Sequence, residues 1–211
     1  MITIYHLGVS QSDRIVWLME ELELPYQLEW FDRGPDGLAP PEYTALHPAA
    51  TAPIIKDGNK VMAESSAICE YICWRYADGK LSVAPKEDHY PDYLYWMQMN
   101  NNLQNIFFAQ KAAGPENEHN ALILSAMTRR EHAFYSYLNQ RLGEVPYLAG
   151  QEFSCADIMI MFNLTSLPLF GGRSIEDLDN VKAYVQRVSQ RPAYQKAMAI
   201  AGPQAPKPLA L

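Results

Sequence analysis

Little in this sequence points to redox, metal or membrane chemistry. Its 211 residues hold only three cysteines, Cys69, Cys73 and Cys155, an odd number with no Cys-x-x-Cys. That argues against both a disulfide framework and a dithiol redox motif. Cys69 and Cys73 lie four apart among apolar neighbours, so buried packing is expected of them. The five histidines, His6, His47, His89, His119 and His132, show no ligand spacing, and no metal site is expected. Basic residues are outnumbered, 17 Lys and Arg against 24 Asp and Glu, and they form no cluster, which argues against a nucleic-acid partner. No apolar run reaches bilayer-spanning length, so no membrane partner is expected. Met1-Ile2-Thr3-Ile4 enters a strand pattern with no basic leader ahead of it, and the expected location is cytoplasmic. There is no internal repeat.

What is present falls into two regions of different periodicity. Residues 2–7 alternate apolar and polar positions as a half-buried strand does, and Gly8 to Asp13 breaks the pattern. Ile15, Leu18, Met19 and Leu22 then recur at helical spacing. Tyr26 to Phe31 reads as a second strand, parallel to the first because a helix separates them. A Gly- and Pro-rich loop over 34–41 precedes a short helix near 42–46. Two strands around the Asp57-Gly58-Asn59 turn form a hairpin, and a helix over 65–76 completes the order βαβαββα. The pattern fails between Asp78 and Pro91, and everything beyond reads helical: 93–113, 117–142, 154–167 up to Pro168, 181–190 and 193–201, with a Pro-rich coil from Pro203 to Leu211. The domains are therefore 1–79, a linker over 80–90, and 91–211.

The chain is organised around Thr51 to Ser66. Pro53 opens a strand without donating to a ladder, which fits an edge or the neighbour of something that needs one. Ser65 or Ser66 is expected to cap the following helix, with backbone N–H groups and a positive dipole end turned outward beside Glu64. Such an edge and helix start can hold a small peptide by its backbone and its charged end. Ser10-Gln11-Ser12-Asp13 and Ser154-Cys155-Ala156-Asp157 both have capping-box spacing, and Phe153 against Ile158 makes a staple for the second.

These motifs taken together resemble the cytosolic glutathione transferase family. The residues that carry the resemblance are Ala52-Pro53, Glu64-Ser65, Tyr147-Leu148-Ala149-Gly150 and Phe153 to Asp157, with Ser10 to Arg14 and Trp17 to Leu22 near the start. The opening is most similar to serine-type bacterial and fungal members, and the likeness runs the length of the chain. It implies an α/β plus all-α fold: a thioredoxin-like βαβαββα glutathione-binding domain, then an all-helical domain contributing the electrophile site. It implies a cis peptide before Pro53, with the Ala52 backbone pairing with the cysteinyl part of glutathione and Thr51 beside it. Glu64 and Ser65 match the pair that holds the γ-glutamyl end, and Ser10 matches the catalytic serine. It also implies a homodimer and a detoxification role, with glutathione as co-substrate and no metal.

The chemistry asked of Ser10 is modest. A free thiol has a pKa of about 8.5, and attack requires thiolate. Lowering that by ~2 pH units takes about 2.7 kcal/mol of preference for the anion. One hydroxyl donor to a charged sulfur supplies roughly 1.5–3 kcal/mol, and a helix N-terminus adds about 0.3–1 kcal/mol. Tyr5 and Ser12 are rival donors, and His6 could face the same cleft. The electrophile is expected between Val9 and the first long helix, on Asn101, Gln104 and Phe108, where Asn100-Asn101-Asn102 interrupts good helix formers. One feature departs from the family. Ala49, Ala50 and Thr51 stand where a Lys, Gln or His usually meets the glycine carboxylate, leaving His47, Arg33 or an Asn of the long helix to substitute. Three activities fit the residues: transfer of glutathione to a small electrophile, a glutathione-dependent reductase or peroxidase step, or a non-catalytic binding module.

Overall fold

The computed structural model describes residues 1–207. Strands β1 (Ile2–Leu7), β2 (Tyr26–Phe31), β3 (Ile54–Asp57) and β4 (Lys60–Ala63) form one sheet in the order β2-β1-β3-β4. The β1–β2 pair is parallel and the other two are antiparallel. The helices are α1 (Asp13–Glu21), α2 (Pro41–Thr44), α3 (Ser65–Tyr76), α4 (Tyr90–Ala113), α5 (Ala121–Glu144), α6 (Cys155–Met161), α7 (Asp179–Ser189) and α8 (Pro192–Ala201). The expected βαβαββα order followed by helices is thus the observed one, with boundaries moved by a few residues. The last part of the proline-rich tail, 208–211, lies outside the described residues.

Two compact units result: Met1–Ala84 with the chain from Val188 onward, and Pro85–Arg187. The sequence reading divides the chain at 79 and 91 and leaves its end in the helical domain. The difference comes from α8, which packs on α1. Trp17 meets Tyr194 edge-on at 4.8 Å. Arg191 grips Glu21 through two bonds of 2.6 and 2.7 Å, and Lys196 reaches Glu20 at 2.6 Å. In the sheet, Tyr5, Leu7 and Ile54 form a core cluster with Tyr43 of α2. Cys69, Cys73 and Cys155 are all buried thiols.

Three caps differ from expectation. Helix α1 starts at Asp13 with Ser12, not Ser10, at its N-cap, because Ser10 turns its hydroxyl back onto the Leu7 carbonyl at 2.7 Å. Helix α3 starts at Ser65 itself, with Glu64 at the cap position and no side-chain cap bond. Helix α5, expected to end at 142 before Gly143, runs through that glycine to Glu144, and a Cβ at Gly143 would lie 2.7 Å from the Asn180 amide. Glycine is kept for that close approach.

The second unit is built on α6, every residue of which is buried. A continuous helix over 154–167 is not what forms. The chain widens into a π turn over Phe162–Ser166 and tightens into a 3-10 turn over Leu167–Phe170, ending at the left-handed Gly171. Pro168 explains the change of pitch: it lacks an N–H and its ring crowds the carbonyl four residues back, at Leu164. The Ser154 capping box is present, and it does more than cap. Asp157 also accepts from the Leu148 N–H at 3.0 Å and the Tyr184 hydroxyl at 2.8 Å. One buried carboxylate thus ties the Tyr147–Gly150 turn and α7 to α6. Burial raises its pKa to about 6, against the pull of those donors. Asp157→Ala is expected to lower stability by about 2–4 kcal/mol, more than the ~1 kcal/mol of a surface cap, since several buried donors lose their acceptor together. Urea denaturation followed by circular dichroism checks this, and a loss confined to ~1 kcal/mol would reduce Asp157 to a simple cap.

Candidate functional site at the end of the sheet

Antiparallel pairing dictates where the site residues meet. Ile54 faces Tyr5 of β1 on one side and Ala63 of β4 on the other. The start of β3 therefore lies beside the ends of both neighbours. The loop leaving β1 (8–12), the run entering β3 (50–53) and the residue leaving β4 (Glu64) all emerge at one end of the sheet. The Ala52–Pro53 peptide is cis, as the resemblance implies. Val9, Ala50 and Glu64 there have φ of 50°, 49° and 74°. Positive φ on a side-chain-bearing residue costs on the order of 1–3 kcal/mol and concentrates at ligand-holding positions.

The β1–α1 loop is held from both sides. Arg33 donates to the Gly8 carbonyl at 2.9 Å and to the Val9 carbonyl at 3.1 Å. A third bond to Gly37 occupies the same guanidinium, so Arg33 braces the loop. Inside the loop, Ser10 is 5% exposed. Its Oγ lies 2.7 Å from both the Leu7 carbonyl and Ser12 Oγ. Ser12 Oγ in turn lies 2.8 Å from His6 Nδ1. His6 is fully buried, its ring against Trp30 at 4.4 Å, and desolvation lowers its pKa to about 4. The rival Tyr5 packs edge-on to Phe31 inside the core cluster.

At the α3 start, Glu64 is exposed; its carbonyl accepts the Ile68 N–H at 2.9 Å, and its carboxylate makes no hydrogen bond or ion pair among the described residues. Ser65 is buried, and Arg14 of α1 donates to its Oγ at 3.2 Å and to Gln11 Oε1 at 2.7 Å. The Arg14 guanidinium is buried, its pKa brought down to about 10 by desolvation, and it stays charged at neutral pH. Thr51 is exposed. His47 Nδ1 accepts the Ala49 N–H at 3.1 Å.

The chain matches the "Glutathione S-transferase, N-terminal domain" family over residues 10–74 and the "Glutathione S-transferase, C-terminal domain" family over 107–192. Glutathione S-transferase 3 of Schizosaccharomyces pombe is 31% identical over 217 residues, covering 92% of this chain and 85% of its own length. The chain belongs to the glutathione S-transferase family. A crystal structure of a glutathione S-transferase from Actinobacillus pleuropneumoniae superposes with a TM-score of 0.84 at 29% identity, covering 97% of this chain and 95% of the other. A theta-class glutathione S-transferase from Xanthomonas axonopodis pv. citri, solved with glutathione bound, shares the fold at a TM-score of 0.71 and 24% identity, over 95% of this chain and 98% of its own.

In this transferase the residues expected for the electrophile fall in both units. Val9 is half-buried in the first. Asn101, Gln104 and Phe108 recur at helical spacing on α4 in the second, but with unequal exposure: Phe108 is 58% exposed, Asn101 is half-buried, and Gln104, against expectation, is buried beside the core residue Phe107. Asn100 is structural: Asn163 of the π turn donates to its side-chain oxygen at 2.9 Å. Sequence reasoning missed Arg14, which reads as an ordinary basic residue of an amphipathic helix. It also left His6 as a lone imidazole, because hydroxyls four and six residues away give no periodic signal.

The buried, neutral His6 has a thermodynamic consequence. An unfolded chain takes up a proton near the usual 6.5, and the folded transferase does so only near 4. Stability from this group is present above about 6.5 and is lost as pH falls through 4, by roughly 3 kcal/mol in full. His6→Phe keeps a ring against Trp30 and removes the titration. Relative to this variant, the parent should lose stability steadily across that interval in urea denaturation, and parallel curves would contradict a neutral buried His6.

Proposed function

We propose that this transferase binds glutathione along the sheet end just described and conjugates it to a small electrophile through a thiolate stabilised by Ser10. The observation that carries the reading is the convergence of Ser10, the cis Ala52–Pro53 peptide and the unpaired Glu64 carboxylate at one end of one sheet. Glu64 supplies the charge for the γ-glutamyl ammonium. Ser65 and the N–H groups opening α3 meet the adjacent carboxylate, with the Arg14 charge behind them. The Ala52 backbone pairs with the cysteinyl residue, and Thr51 and His47 stand where the glycine end falls. With no lysine at that end, modest affinity for glutathione is expected.

In the resting site the Ser10 proton goes to the Leu7 carbonyl. A neutral bond of this kind is worth about 0.5–1.5 kcal/mol net, and one to a charged partner about 1.5–3 kcal/mol. A thiolate within reach therefore wins the proton's direction by rotation about the Cβ–Oγ bond. The thiol proton leaves to water, a sulfur lone pair forms the bond to the electrophilic carbon, and the displaced electrons leave with the leaving group or settle on the electrophile. In the first unit the electrophile is met by Val9, on the same loop as Ser10. The same reading includes a cytoplasmic homodimer in detoxification. An apolar groove of about 820 Å³ between α4 and α5, lined by Tyr95, Met99, Ile106, Phe134 and Tyr137, supports the subunit contact.

Ser10→Ala is expected to lower kcat/KM for conjugation of an aryl halide roughly 10–100-fold, the loss of one charge-assisted bond, with the circular dichroism spectrum unchanged. An unaltered rate would remove Ser10 from the mechanism.

A further inference from the structure

The β1–α1 loop contains more hydrogen-bonding groups than a turn needs, and their order is informative. Ser12 Oγ lies 2.8 Å from His6 Nδ1 and 2.7 Å from Ser10 Oγ, with the Leu7 carbonyl further off at 3.4 Å. Ser10 Oγ has three neighbours: Ser12 Oγ at 2.7 Å, the Ser12 N–H at 3.3 Å and the Leu7 carbonyl at 2.7 Å. Which way the protons run depends on His6.

A neutral imidazole carries one N–H. The Nε2 atom of His6 is buried and meets no hydrogen-bond partner among the described residues. A proton there would be a buried donor without an acceptor, which is rarer and costlier than a bare lone pair. The proton therefore sits on Nδ1 and is donated to Ser12 Oγ. Burial keeps the ring neutral at physiological pH, so this tautomer persists. Ser12, accepting from His6, donates its own proton to Ser10 Oγ, the nearer of its two remaining acceptors. Ser10 Oγ then accepts from both the hydroxyl and the backbone N–H of Ser12. Its own proton is the only outgoing donor of the set.

We propose that His6 and Ser12 are positioning residues acting through Ser10: a one-way chain, His6 Nδ1–H to Ser12 Oγ and Ser12 O–H to Ser10 Oγ, aims and strengthens the hydroxyl that Ser10 offers to the glutathione sulfur. Each bond polarises the next, which raises the donor strength at the end of the chain. No proton changes owner, so the chain supplies neither a base nor an acid. It lowers the thiol pKa by making the last donor better. The inference rests on the reading of Ser10 as the thiolate donor and adds the two residues behind it.

The test titrates the ultraviolet thiolate absorption of bound glutathione against pH in the full-length protein. Four substitutions are compared with the parent: Ser10→Ala, Ser12→Ala, His6→Phe and His6→Asn. Ser12→Ala and His6→Phe should each cut the thiolate fraction at neutral pH about 2–5-fold, with Ser10→Ala cutting it further. Ser12→Ala should add nothing once Ser10 is alanine, because the chain acts only through that hydroxyl. His6→Asn places an amide N–H where Nδ1–H stood, and should restore most of what His6→Phe loses. A purely structural role for His6 and Ser12 would lower thermal stability or raise KM while leaving the thiol titration as in the parent, and that result would overturn the chain. Effects of Ser12→Ala that persist undiminished in the Ser10→Ala background would overturn it as well. If Ser10→Ala itself leaves the titration unmoved, the reading of Ser10 fails first and takes the chain with it. If only Ser10→Ala moves it, the chain fails alone. Two independent links are cut, so loss of folding in one variant leaves the other to decide.

Discussion

The antiparallel pairing of β3 between β1 and β4 is the constraint on which the rest depends. Because Ile54 sits opposite both Tyr5 and Ala63, the loop after β1, the run into β3 and the residue after β4 reach the same end of the sheet. A one-residue slip would turn Ile54 out of the core cluster it shares with Tyr5, Leu7 and Tyr43. The hydrophobic cluster thus sets the register, and the register sets the site. Strain follows from the same geometry. Val9, Ala50 and Glu64 adopt positive φ where the chain leaves or enters the sheet. Braces on either side hold them there: Arg33 on the carbonyls of Gly8 and Val9, and Arg14 between Gln11 and Ser65.

The second unit obeys a comparable logic with a polar centre. Asp157 gathers donors from the Tyr147–Gly150 turn, from Ser154 and from α7. The Asn100–Asn163 pair fastens α4 to the π turn that follows α6. Both groups are buried, and Asp157 meets donors on each of its oxygens, the condition under which a polar core specifies one arrangement. The asparagine run of α4 thereby has a structural member in Asn100, whose amide also donates to Asn101 Oδ1 at 3.1 Å.

How much of this was legible in the sequence depended on distance along the chain. The strand over 2–7, the Asp57-Gly58 turn and the Ser154 capping box are local signals, and each appears where its residues place it. Strand β1, however, expected to be half-buried, lies inside the sheet between β2 and β3 and is buried on both faces. Helix ends were less legible, because the competition that decides them is tertiary. Ser10 has the spacing of a cap, yet its hydroxyl finds the Leu7 carbonyl and Ser12 instead. Pro168 reads as a stop and acts as a change of pitch, since α6 is already buried on every side and the chain stays helical to Phe170. The return of α8 onto α1 was invisible, because Glu21 and Arg191 are 170 residues apart. For the candidate site, Ser10, Ala52, Pro53, Glu64 and Ser65 came from motif order and Ser12 and His6 from their nearness to Ser10, while the bonds that join those two to Ser10, and the part of Arg14, came only from the fold.

The central claim is that one sheet end receives glutathione across all three converging segments. Amide chemical-shift mapping of the nitrogen-15-labelled protein during glutathione titration tests it most directly. The account predicts the largest shifts together in Gly8 to Ser12, Ala50 to Ala52 and Glu64 to Ser66. A saturable shift pattern that leaves those amides unmoved and falls elsewhere on the protein would contradict it.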